Sequence, residues 1–307
     1  MKIFKNNFCK FTKAEMQQNK NISNNMIEYI ETFDPIGCHY ISSLTKEEFK
    51  ESFLAESSQG IEGQRINHGK NQMTNSDYID WVRKQLTQLV AYYQKYGKSN
   101  RKIRYKYSQS SPNSGRIYPN DFGLQYVTTK MREYCYPKGM VEIDMQNAFV
   151  VLMYYIFLKN GANELDLGQL KYFLENRHEC LDQWEITKYE FLAYLNRDYT
   201  PKEIGQDENK EDLKTLLILC RKWKQKILNA NPKWKALAKP SSKNKYSSAF
   251  YHLMANEEEK CRRVIIDKIL DGKKNKDKIC IVPMHDGVFT NTEVSQATLD
   301  KINHVYE

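Results

Sequence analysis

The longest apolar run in the chain is Ala148 to Leu158, AFVVLMYYIFL, with no polar break. Eleven residues are too few to span a bilayer, and they fit a helix buried on all sides. Just before it, Val141-Glu142-Ile143-Asp144-Met145 alternates apolar and acidic residues. That alternation puts Glu142 and Asp144 on one face of a strand that passes into the helix. Helical periodicity predicts further helices over 77–97, near 164–180, and over 182–196, 211–229 and 246–270, with a short amphipathic helix at the end. In the first of these, Tyr78, Trp81, Leu86, Leu89 and Tyr92 share a broad face, and Ser76 or Asp77 supplies the N-cap. Ile279 to Val282 reads as a strand. Asp286-Gly287 follows, then Val288-Phe289-Thr290, which is the signature of a tight hairpin turn. The stretches 197–212 and 236–248 read as a polar linker and a basic loop, and 97–119 as basic and extended. Residues 1–75 are polar and hard to parse, with a long loop over 58–72.

Composition sharpens this in three ways. Only 13 Gly and 8 Pro in 307 residues favour a largely helical protein. The net charge of +9 serves solubility, and it also favours a polyanionic partner such as nucleic acid. The seven cysteines are odd in number and form no C-x-x-C pair. They argue against a zinc ribbon or a disulfide framework and suit buried thiols in a reducing interior. The first residues lack the continuous apolar core of a signal peptide. The expectation is an intracellular, unsecreted protein with no membrane partner.

Asp144 and Asp286 carry the candidate chemistry. Each lies at a strand tip among apolar residues, 142 positions apart. On its own, Asp144 is better read as a residue of a solvated strand face, and Asp286 as a turn residue. Taken together, two carboxylates on adjacent strands can hold two divalent cations about 3.5–4 Å apart for phosphoryl transfer. Magnesium suits such a site because it takes oxygen ligands and keeps part of its water shell. The run Arg101 to Tyr107, with Arg104 and Lys106 in it, interleaves basic and aromatic residues. It reads as a track for a nucleic-acid backbone or as an ordinary basic edge strand.

From Ser114 onward the chain reads SGRIYPNDFGLQYVTTKMREYCYPKGMVEIDMQNAF. Gly115-Arg116-Ile117, Leu124-Gln125, Met131-Arg132 and Asp144 resemble, in that order, the palm of the DNA polymerase I family (family A). DMQNAF is similar to the Asp-Ile-x-Asn-Ala-His type motif of short polymerase-like proteins of large viruses and mobile elements. Downstream, ITKYEFLAYLNRD resembles the fingers helix and MHDGVFT the second metal-binding motif. The resemblance spans roughly 105–307.

The resemblance implies an α+β fold with a right-hand layout, an antiparallel palm sheet, and mostly helical fingers and thumb. The implied divisions are an N-terminal region of unknown role (1–75), a thumb-like helical part (76–104), palm (105–158 and 245–307) and helical fingers (159–244). The implied activity is template-directed extension of a primer 3′-hydroxyl. Two Mg²⁺ ions, or Mn²⁺ in their place, would be held by Asp144 and Asp286, with His285 orienting the second motif. Lys188 would meet the triphosphate, although a snorkelling surface lysine is an equal reading of the residue alone. The family's Arg four residues earlier is replaced by Trp184, so Arg177 or Arg197 would supplement Lys188. Phe149 stands where the family has a Glu against the ribose 2′-position, and it leans towards deoxynucleotides. Arg116, Gln125 and Arg132 would touch primer–template, with Arg104 and Lys106 along its backbone. The implied partners are primer–template nucleic acid, nucleoside triphosphates and other replication proteins. Gly287 departs from the family's Glu. That departure leaves room for an inactive, degenerate polymerase acting as a nucleic-acid-binding accessory, and an RNA-synthesising relative, a primase or single-subunit RNA polymerase, is a separate alternative.

Overall fold

A computed structural model describes residues 26–53, 66–68, 71–73, 75–107, 115–196, 208–238, 245–284 and 286–306. The chain opens with β1 (Met26–Thr32). Asp34 then starts α1 (Pro35–Ser43) by accepting the Ile36 and Gly37 amides at 2.8 and 3.0 Å, with Pro35 at the first helical position. A reciprocal Thr45–Glu48 capping box starts α2 (Lys46–Phe53). Next come the short hairpin β2 (Ile66–His68) and β3 (Asn71–Met73), and then α3 (Asn75–Tyr96). That helix buries Tyr78, Ile79, Val82, Leu86 and Leu89 along one face.

The basic stretch becomes β4 (Asn100–Tyr107), followed by β5 (Ile117–Pro119), a single 3₁₀ turn at Leu124–Tyr126, and α4 (Thr129–Cys135). The alternating segment forms β6 (Val141–Asp144), and the apolar run forms α5 (Ala148–Lys159). Four helices follow: α6 (Gly168–Glu175), α7 (Arg177–Gln183), α8 (Lys188–Asn196) and α9 (Glu211–Ala230). The one-turn α10 (Pro232–Lys235) and the long α11 (Lys245–Leu270) lead to the hairpin β7 (Ile281–Pro283) and β8 (Gly287–Thr290). Helix α12 (Gln296–Tyr306) closes the described chain.

The fold is α+β. One antiparallel sheet has the order β1-β4-β5 and another the order β6-β8-β7. A single parallel bridge, Ile30 with Cys280, joins them edge to edge. The Thr32 amide also donates to Cys280 Sγ at 3.1 Å. On one side, α1, α2, α3 and α4 pack around Phe33, Phe49, Leu86 and Met131 and reach Cys280 and Val282 of the hairpin. A separate helical core joins α5 to α9 and the first half of α11. The second half of α11 covers Ile143, Ile281 and Val288 of the second sheet. Among the described residues, no helix is long and apolar enough to cross a membrane.

Three expectations are corrected. Residues 26–53, unparsed in the sequence, supply a sheet strand and two helices. The 104/105 division falls inside β4. The helix expected near 164–180 is broken at Asn176 into α6 and α7, and the one expected over 182–196 is shortened to α8, because Glu185 adopts φ 52° and a second capping box, Thr187 with Glu190, starts it at Lys188. Trp184 therefore lies before α8, stacked on Phe173 and Phe191. The linker over 197–207 and the loop over 239–244 lie outside the described residues.

Glu31 of β1 is fully buried. It accepts the Tyr105 hydroxyl and the Leu124 amide (2.9 Å) and faces Arg101 at 3.9 Å. Its neighbours replace the water its carboxylate has lost. Glu31→Ala strips one partner from all of them and is expected to lower unfolding stability by about 3–5 kcal/mol. Urea denaturation measures this, and a loss below about 1 kcal/mol would show that the network carries little.

Candidate active site

Asp144 ends β6 opposite Gly287 of β8. The Met145 amide donates to the Asp286 carbonyl at 3.1 Å, and the Met284 amide to the Gly287 carbonyl at 2.8 Å. Gly287 is therefore already in the strand and outside the turn. This corrects the Asp-Gly turn by one residue. The reason is space between the strands. A Cβ on Gly287 would lie 2.5 Å from the Ile143 carbonyl oxygen and 3.1 Å from Asp144 Oδ1. Gly287 serves close approach of two backbones rather than an unusual φ.

The Asp286 carboxylate acts on Asp144. Partial desolvation, then the charges of Asp286 and Glu142, push the Asp144 pKa up to about 6, while the Met145 amide and Lys188 pull it down. Beyond them lies a cavity of about 500 Å³. Its lining includes Asp144, Asp286, Phe149, Arg177 and Lys188, five of the residues singled out in the sequence.

Local chemistry explains the placement. Asn147 takes the left-handed conformation (φ 54°), which Asn tolerates better than most residues. This turns the chain from β6 into α5 within three residues. Its carbonyl accepts the Val150 and Val151 amides at 2.9 and 3.0 Å, and its side chain accepts Arg177. Arg177 is thereby fixed on the cavity wall, with His178 beside it at 3.5 Å. Lys188, exposed at the first turn of α8, faces it from the other helix. Sequence reading missed Asn147 and His178, although the N-A step after DMQ was a visible strand-to-helix junction.

The other expected contacts divide. Arg116 is taken up by Glu258 of α11, with Nε–Oε2 at 2.8 Å and a second contact at 3.3 Å, and it lies over Tyr251. Gln125 donates to the Pro283 carbonyl at 2.8 Å and the Ile117 carbonyl at 3.3 Å. Arg132 is half-buried over Phe289. These contacts tie Arg116 to α11 and Gln125 to β5 and the hairpin, and set Arg132 beside β8. Arg104 is exposed and Lys106 half-buried on the face of β4 away from Ile103 and Tyr105. His285 and Arg197 lie outside the described residues.

Buried Arg262 of α11, ion-paired with Glu259, donates to the Met284 carbonyl at 2.8 Å. With Gln125 it grips consecutive carbonyls just before Asp286. Gln125→Leu is expected to destabilise the protein by about 2 kcal/mol, the cost of leaving buried carbonyls unpaired. The salt dependence of DNA binding should stay unchanged, and a shallower slope by anisotropy would return Gln125 to the phosphate contacts.

Among the described residues, no group of three His, Cys, Asp or Glu side chains stands ready to hold a metal. The donor set is two carboxylates whose like charges oppose one another, an arrangement that a cation relieves. Comparison of the chain with family models, curated proteins and solved structures gives no match.

Proposed function

We propose that the chain is a template-directed nucleotidyltransferase, a DNA polymerase similar to family A, extending a primer 3′-hydroxyl from nucleoside triphosphates. One observation carries this reading. Two carboxylates on neighbouring strands, Asp144 and Asp286, border a cavity of about 500 Å³ that Arg177 and Lys188 also line. A cavity lined by both acidic groups and cations suits a triphosphate whose α-phosphate reacts and whose β- and γ-phosphates leave. The volume lies within the usual range for small-ligand sites.

In the right-hand layout, the β6-β8-β7 sheet is the palm, α6 to α10 are the fingers, and α3 is the thumb-like part. Asp144 and Asp286 would hold two magnesium ions. When bound, these would lower the pKa of the attacking hydroxyl and offset charge on the leaving oxygens. Asp144 must be ionised to do this, and proximity to a cation favours that form. Arg177, clamped by Asn147, and Lys188 hold the outgoing pyrophosphate in place. Phe149 is half-buried on the cavity wall, where its ring crowds the sugar.

Primer extension on a DNA template with Mg²⁺ tests the reading, with deoxy- and ribonucleotides offered separately. Incorporation of deoxynucleotides that chelation of the metal abolishes supports it. Salt-sensitive DNA binding without incorporation of either kind would sink it. Preferential ribonucleotide incorporation would reassign the product to RNA.

A further inference from the structure

A second cavity, about 550 Å³, lies at the opposite end of α5 from the carboxylate pair. With a rise of about 1.5 Å per residue, the two are roughly 15 Å apart along that helix. The C-terminal ends of α5 and α9 meet here. The terminal carbonyls of Ile156 and Ile227 are occupied by the Asn160 and Asn231 side-chain amides, each at 2.7 Å. The apolar floor carries the half-buried indole of Trp234, with Lys233 Nζ 5.6 Å from its ring centroid. Exposed Lys159 and Lys233 stand on the rim, while Lys260 is paired with Glu257.

This combination has a definite chemistry. The indole offers a stacking face, the Asn160 and Asn231 side-chain oxygens offer acceptors for base edges, and two lysines offer charge for phosphate. Ordinary small-ligand pockets have this make-up, an apolar floor with few polar groups. We propose that this cavity is a second nucleotide-binding site, distinct from the carboxylate site. It takes one nucleotide unit with the base against Trp234 and the phosphate between Lys159 and Lys233. The unit belongs either to a single strand or to a free nucleotide. The competing reading is that the lysines only offset the partial negative charge of two helix C-termini.

The test uses the full chain and dT12 carrying one 5-iododeoxyuridine, irradiated and mapped by mass spectrometry. The expected adduct is on the peptide containing Trp234. In Lys159→Ala/Lys233→Ala, whose side chains are exposed, the adduct falls roughly tenfold. The log–log salt slope of binding falls by about 0.7, for the one phosphate the two lysines share. Loss of the adduct on adding excess dTTP identifies the free nucleotide as occupant, and persistence identifies the strand. Adducts confined to other peptides overturn the proposal. So does a double variant that changes only the melting temperature and leaves the Trp234 adduct intact. The readout needs no incorporation, so it stands apart from the proposed catalysis.

Discussion

Asp144→Asn is expected to abolish primer extension, by about 10³-fold or more, while making the metal-free protein more stable. The two effects have one cause. Burial and the neighbouring acids raise the Asp144 pKa to about 6, so its ionised form is disfavoured in the fold. A carboxylate with a raised folded pKa binds more protons in the folded state. Stability is therefore greatest below the unfolded value near 4 and falls as pH rises through about 6. Asn removes that loss, and it also removes the negative charge a cation needs. Asp286→Asn should lose comparable activity. The double variant should be little worse than either single one, because the pair acts as a unit. Extension rates and thermal melts at pH 4.5 and 7.5 check this. A variant that loses stability at pH 7.5, or keeps its extension rate, contradicts the assignment.

Gly287→Glu introduces the residue that the resembled family A motif has at this place, and it is expected to make matters worse. The new Cβ meets the Ile143 carbonyl oxygen at 2.5 Å, which is backbone and cannot rotate aside. Strands β6 and β8 must separate at the point where they hold the two carboxylates. The expected loss is about 3 kcal/mol of stability, and about 100-fold in extension for a shift of roughly an ångström. Gly287→Ala should show nearly the same stability loss, since the clash begins at Cβ. If Gly287→Glu gains activity instead, the glycine marks a decayed site rather than one adapted to a closer strand pair.

Much of the site was legible because its signals are local. Alternation placed Asp144 at the end of β6, the apolar run placed α5 after it, and the strand–turn–strand pattern brought Asp286 near. The Thr187–Glu190 box was equally readable and would have placed the start of α8 correctly. Long-range partners account for most of what was not legible. Arg116 was read as phosphate-binding because Glu258 lies 142 residues away, and Gln125 because Pro283 lies 158 away. A free arginine and one already held look the same in a sequence. β1 escaped for another reason. Its acidic Glu31 is buried in a polar network, so the apolar alternation that marks a strand is broken where the strand is best covered.

The bridge between Ile30 and Cys280 also bears on the order in which the molecule assembles. Its partners are 250 positions apart, so this edge of β1 has no neighbour until a further 250 residues have been synthesised. The helices of 148–270 are built from nearby contacts and can form early. The union of the two sheets waits for the final hairpin and must overcome a long loop closure. During that interval β1 presents unpaired backbone groups to any other emerging chain. The same late joint that brings Asp286 to its place is therefore the step at which nascent copies are most open to mispairing with one another.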